Sequence, residues 1–156
     1  TMYEQFGDGL QAAIALSVVG EGMPLIYNGQ EAGNTKRLEF FEKDPIQWKA
    51  DEIGQLYQNL FALMKKNTAL WHAKWGSRMI KVPNSHEDQI FSFVRMNDKD
   101  KVFAVFNFSN EPKEVSFKEQ LHWGTYMRFK DQTTSLFNNE TTLNLQPWDY
   151  EIYIKE

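Results

Sequence analysis

The chain has 156 residues, 42% of them hydrophobic and 15% aromatic, with a net charge of −4. That is enough apolar material for one ordinary domain or two small units, and it excludes a disordered tail. No basic stripe marks a nucleic-acid partner, no apolar run reaches the roughly 18 residues of a membrane segment, and the absence of cysteine excludes disulfides and thiolate metal sites.

Residues 1–8 read as an entry loop. Asp8, with Gln11 three residues later, reads as a capping box. Leu10, Ala13, Ile14, Ser17 and Val18 recur at helical spacing, and Gly20 supplies the stop. Pro24-Leu25-Ile26-Tyr27 is a short apolar run that reads as a buried strand, opened by proline and closed by Asn28-Gly29. Helix, loop and buried strand together are half of a βα repeat.

Residues 32–50 read as a polar loop carrying Phe40, Phe41 and Trp48, with a turn at Asp44-Pro45. Asp51 caps a second helix. Its apolar stripe runs through Ile53, Leu56, Tyr57, Leu60, Phe61, Leu63 and Met64, and Lys65 and Lys66 suit its negative end. A boundary falls near Trp71 to Gly76. Beyond it, short β runs alternate with turn residues, near 78–82, 89–96, 101–108, 113–118, 124–130 and 148–155, with weaker ones near 135–137 and 141–145. Val102 to Phe108 is apolar on both faces and reads as a central strand. Trp148, Tyr150, Ile152 and Ile154 alternate with Asp149, Glu151, Tyr153 and Lys155, which predicts one packed and one wet face. The strand count and spacing predict an antiparallel β-sandwich.

Gly22-Met-Pro-Leu-Ile-Tyr-Asn-Gly-Gln-Glu31 resembles the last barrel strand of the α-amylase family of glycoside hydrolases. Gly22, Pro24, Tyr27, Gly29 and Glu31 fit that family's Gly-x-Pro-x-x-Tyr-x-Gly-x-Glu pattern. Lys43 to Trp48 resembles the loop that follows, Leu60 to Leu70 the last barrel helix and its exit, and Val102 to Ser109 and Leu145 to Tyr150 the sandwich strands. The resemblance implies an α+β chain: the final βα portion of a (β/α)8 TIM barrel over residues 1–75, then an antiparallel all-β sandwich over 76–156. It implies an enzyme acting on α-linked glucans such as starch and maltodextrins.

Hydrolysis of a glycosidic bond takes two carboxyl groups astride it. The family's catalytic motifs do not occur in this sequence, so the resemblance places the catalytic acids upstream of Thr1 and makes this chain inactive alone. It leaves Tyr27, Gln30 and Glu31 in the vicinity of the substrate site, at the barrel's catalytic end. Two readings of Glu31 stand: a site carboxylate, or one bonded to loop backbone or paired with a base such as Arg37. Tyr27 reads as a core ring with its hydroxyl at a pocket floor.

Glu39, Glu42 and Asp44 read as a solvated acidic loop rather than a calcium cage, so no metal or other cofactor is expected in this chain, while calcium in the parent enzyme stays open. His72, His86 and His122 read as surface or linker residues. Trp71, Trp75, Trp123 and Trp148 invite a sugar-stacking reading against a packing one. The alternative function is therefore a carbohydrate-binding or structural β-sandwich module without catalysis. A cut barrel leaves an unpaired strand and wet apolar faces, so residues 1–50 are expected either to be poorly ordered or to pack against a second copy, by which the chain self-associates. The opening at Thr1 reads as an internal cut, which leaves export of the parent open.

Overall fold

The computed structural model describes residues 1–155. Its first element is a short helix, α1 (Met2–Phe6), where the sequence suggested a loop. The overlooked signal is Thr1-x-x-Glu4: the Thr1 side chain accepts from the Glu4 N–H, and the Glu4 carboxylate reaches back to the Thr1 amine, a complete capping box. A 3-10 turn over Gly7–Gly9 leads into α2 (Leu10–Val19). The expected Asp8–Gln11 cap is not formed. Gly9 stands at the cap position without a side-chain bond, and Asp8 lies inside the turn. Gly20 ends α2 as expected, its N–H donating to Leu16 O at 2.9 Å. α2 is apolar nearly all round, as befits a helix covered on several sides.

Pro24 to Tyr27 forms no strand. A strand needs a neighbour for its N–H and C=O groups, and no described segment lies alongside this one as a ladder partner. Leu25 and Tyr27 point largely to solvent, 85% and 63% exposed, while Ile26 packs inward. The helix α3 (Glu52–Lys66) forms as the stripe predicts, with the Asp51 carboxylate accepting from Ile53 N at 3.0 Å. Two 3-10 turns, Thr68–Leu70 and Ala73–Trp75, make the link to the β region.

There the alternation signals hold well. Strands β1 (Met79–Lys81), β2 (Ile90–Met96), β3 (Lys101–Asn107), β8 (Tyr150–Lys155), β5 (Gly124–Arg128) and β6 (Thr134–Phe137) make a six-stranded antiparallel sheet in that spatial order. Strands β4 (Lys113–Ser116) and β7 (Thr142–Leu145) pair as a second, two-stranded sheet. The result is a short helical part followed by open antiparallel sheets.

Each central strand serves two cores. From β3, Val102, Ala104 and Phe106 pack against α2 and α3, meeting Ile14, Val18, Leu60 and Leu63. Phe103 and Val105 face the other way, toward Val115 of β4 and Leu145 of β7. β8, hydrogen-bonded between β3 and β5, follows the same division, which corrects the expected dry-and-wet alternation. Tyr150 and Ile152 join the helices, Tyr153 joins the second core, and both faces are covered. Glu151 is buried with them because Arg128 grips it with two N–H groups, Nε at 2.7 Å and Nη2 at 2.5 Å.

Two buried polar residues escaped the sequence reading. Arg95 of β2 lies only 2% exposed where helices and sheet meet. It donates to Val19 O (3.2 Å), Gly20 O (2.6 Å), Trp71 O (2.8 Å) and Ser77 O (2.9 Å), joining the end of α2 to the linker. His122 was expected at the surface and is fully buried among Phe103, Phe117 and Phe137. A single polar residue at the end of a polar turn gave no periodic signal of burial.

Candidate functional site

The turn after the Pro24–Tyr27 segment is organised by two glycines in the left-handed region, Gly29 (φ 92°) and Gly33 (φ 65°). They bracket a 3-10 turn, Gln30–Ala32, in which Gln30 N donates to Tyr27 O at 3.0 Å. The Gln30 side chain closes the same turn: its Oε1 accepts from Tyr27 N at 2.8 Å. Its amide oxygen is therefore committed to local structure. Tyr27 is a wet ring, 63% exposed, rather than the expected core one.

Glu31 sits where this turn meets α3. The helix comes so close that a Cβ on Gly54 would collide with Glu31 O. Gly54 lies within the α3 pattern as a conspicuous gap, and this approach is its reason. Beside the contact lies a cleft of about 480 Å³, with Glu31, Ile26, Tyr57 and Phe61 among its walls. Glu31 Oε2 is shut off from solvent and has no hydrogen-bond partner. Burial raises the pKa of the Tyr57 hydroxyl, and the Glu31 carboxylate raises it further.

Tyr27 and Gln30 line a different and smaller cleft of about 200 Å³, shared with Asn28, Asn34 and Arg37. The structure thus brings two of the three expected residues together and turns the third elsewhere. Nor does Glu31 pair with Arg37, whose guanidinium lies 3.8 Å from Glu4 instead. The other acid lining the Glu31 cleft is Asp51, which caps α3 and lies 3.5 Å from Lys49 Nζ.

In the acidic loop Glu39 and Glu42 are exposed, whereas Asp44 turns in to accept from the Lys36 ammonium and from Glu39 N at 3.0 Å. The Lys36 hydrogen bond, then the Glu39 amide, holds the Asp44 carboxyl below its usual range. Among the described residues no group of three His, Cys, Asp or Glu is placed to hold a metal ion, and no helix is long and apolar enough to cross a membrane.

The tryptophans do not gather on one sheet face. Trp71 and Trp75 lie in the linker, 41% and 66% exposed, and Trp123 precedes β5. Trp148 occupies the turn before β8 at φ 58°, a left-handed conformation rare for so large a residue. Its ring lies 3.4 Å from where a Cβ on Gly9 would be, so it wedges the α1–α2 junction. His86 Nε2 lies 3.2 Å from Glu114 O, and His72 lies half-buried in the linker.

Residues 82–151 match the sequence model of the alpha amylase C-terminal all-beta domain. No protein with a curated description matches the sequence. Solved structures do match. A maltogenic alpha-amylase, AmyB of Thermotoga neapolitana, superposes with a TM-score of 0.78 at 18% identity, over 96% of this chain and 36% of its own. An Anoxybacillus alpha-amylase gives 0.74 at 16% identity, over 92% and 31%. AmyP, crystallised as its E221Q variant with maltotriose, gives 0.72 at 13% identity, over 96% and 35%. The chain thus spans about a third of the length of these enzymes. Residues 82–151 thus match the alpha amylase C-terminal all-beta domain, and the chain as a whole has the fold of the carboxyl-terminal part of these alpha-amylases.

Proposed function

We propose that this chain serves as the carboxyl-terminal part of a retaining, α-amylase-like glycoside hydrolase that acts on α-linked glucans. Residues 1–75 contribute to the catalytic barrel, and residues 76–156 form the sandwich domain that braces it. The observation that carries this reading is the match of 82–151 to the amylase domain, preceded at Gly22–Glu31 by the family's strand-and-turn pattern. The catalytic acids belong to polypeptide outside this chain. The second acid of the Glu31 cleft, Asp51, is engaged in capping α3 and lies 3.5 Å from Lys49, which supports that assignment. Two similar structures were solved with maltotriose and maltose, which supports a maltodextrin substrate. Tyr27 and Gln30, lining one cleft, border the glucan site rather than act on the bond. Calcium, if the longer enzyme uses it, is bound by residues beyond this chain.

Release of reducing ends from starch and short maltodextrins, measured for this chain and for the full-length enzyme side by side, tests the reading. Activity in the longer enzyme and none in the chain is expected. Activity in the chain itself would show that the missing acids have been misassigned. Activity in neither would overturn the glucan-hydrolase reading.

A further inference from the structure

The buried Glu31 oxygen calls for a partner. A carboxylate oxygen removed from water without a hydrogen bond is costly, and buried polar groups are nearly always satisfied. The cation lining the same cleft, Lys49, is paired elsewhere, 3.5 Å from Asp51. Tyr57 lies close enough for Glu31 to raise its pKa, yet its hydroxyl does not donate to the carboxylate. The cleft's walls include the apolar and aromatic side chains of Ile26, Tyr57 and Phe61, with Gln55 and Gln58 among its polar residues. Preceding Ile26 and following it, Met23, Leu25 and Tyr27 are 80%, 85% and 63% exposed, in a segment without a ladder partner.

We propose that this cleft receives an arginine side chain from a polypeptide that packs on the Met23–Tyr27 segment. The chemistry fits that one occupant. A guanidinium offers paired planar donors to a carboxylate, and its three-carbon stem covers apolar walls as the head reaches the acceptor. The chain's net charge of −4 favours a cationic visitor. The proposal rests on the reading of the chain as part of a longer enzyme, whose remaining polypeptide supplies the arginine. Glu31 is then a positioning residue, fixing the Gln30–Ala32 turn against the body of that enzyme.

Butylguanidinium mimics the side chain, and butylurea is its neutral counterpart. NMR spectra of the 156-residue chain are followed at the Glu31 carboxyl carbon and at Gly54 and Tyr57 during titration with each. Saturable shifts with butylguanidinium, absent with butylurea and lost in Glu31→Gln, are expected. No saturable shift, an equal response to butylurea, or persistence in Glu31→Gln would overturn the proposal. Should Glu31→Gln fail to fold, the comparison of the two probes on the unaltered chain decides. The readout is independent of starch cleavage, so failure here and failure of the glucan-hydrolase reading are distinguishable.

Discussion

His122 should make this protein acid-sensitive in a way a single substitution can remove. Its imidazole is 0% exposed, with ring centroids of Phe117 and Phe103 at 5.1 and 5.6 Å. Neither ring nitrogen forms a hydrogen bond of normal geometry. Burial therefore holds its pKa below the ordinary histidine value. The Asn138 backbone opposes this weakly, and Lys101 adds a further depression. The unfolded chain, with its histidine near the usual value of about 6.5, then binds the proton more readily than the folded one. Stability from this group is complete above about pH 6.5 and is lost as the pH falls. The loss approaches about 1.4 kcal/mol per pH unit while the buried ring stays neutral.

Urea denaturation of the wild type and of His122→Phe at pH 7.5, 6.5 and 5.5 measures the difference. Other groups titrate alike in both proteins, so subtraction isolates His122. The wild type should lose more stability than the variant between pH 6.5 and 5.5, by up to about 1 kcal/mol. At pH 7.5 the variant should be at least comparable in stability, because an unsatisfied buried polar group costs about 1–3 kcal/mol. Parallel stability profiles for the two proteins would refute the reasoning. If His122→Phe overpacks the cluster, His122→Leu serves the same comparison.

Arg95→Met leaves the carbonyls of Val19, Gly20, Trp71 and Ser77 without their shared donor and should cost about 3 kcal/mol or more in urea denaturation. A loss under about 1 kcal/mol would show that these carbonyls find water instead. Gly54→Ala offers a test of sign. Helix propensity alone would stabilise α3 by about 1 kcal/mol, but the new Cβ collides with Glu31 O, so a fall in thermal midpoint is expected. Asp131 is held down to about 2, first by the Thr133 hydroxyl and then by its N–H. Thr133→Val should raise its NMR-detected titration midpoint, and an unchanged midpoint would assign the depression to Arg128 instead.

The β region was readable because alternation reports directly on which residues face a core. The runs at 90–96 and 101–107 declared themselves by their apolar density alone. Alternation does not say what covers each face, and so β8 was assigned a wet side that is in fact a second core. The Pro24–Tyr27 run has the composition of a buried strand, but composition cannot provide the neighbour that makes one. Glu31 was identifiable from the family pattern, whereas its separation from Tyr27 and Gln30 depends on how α3 approaches the turn, which only Gly54 hinted at. Arg95 and His122 carried no periodic signal, since each depends on partners far along the chain.

The two-faced strands also bear on where this protein can be divided. A protease or a cloning boundary at the linker near Gly76 would separate helices from sheet along the sequence. It would also strip the cover from Phe93, Val102, Ala104, Phe106 and Ile152 at once. Those side chains leave the same backbone that carries Phe103, Val105 and Tyr153 into the opposite core. Loss of one layer thus loosens the anchorage of the other, and the sheet passes disturbance from α2 and α3 through to β4 and β7. The seam that looks most natural for trimming is one across which the molecule folds as a unit.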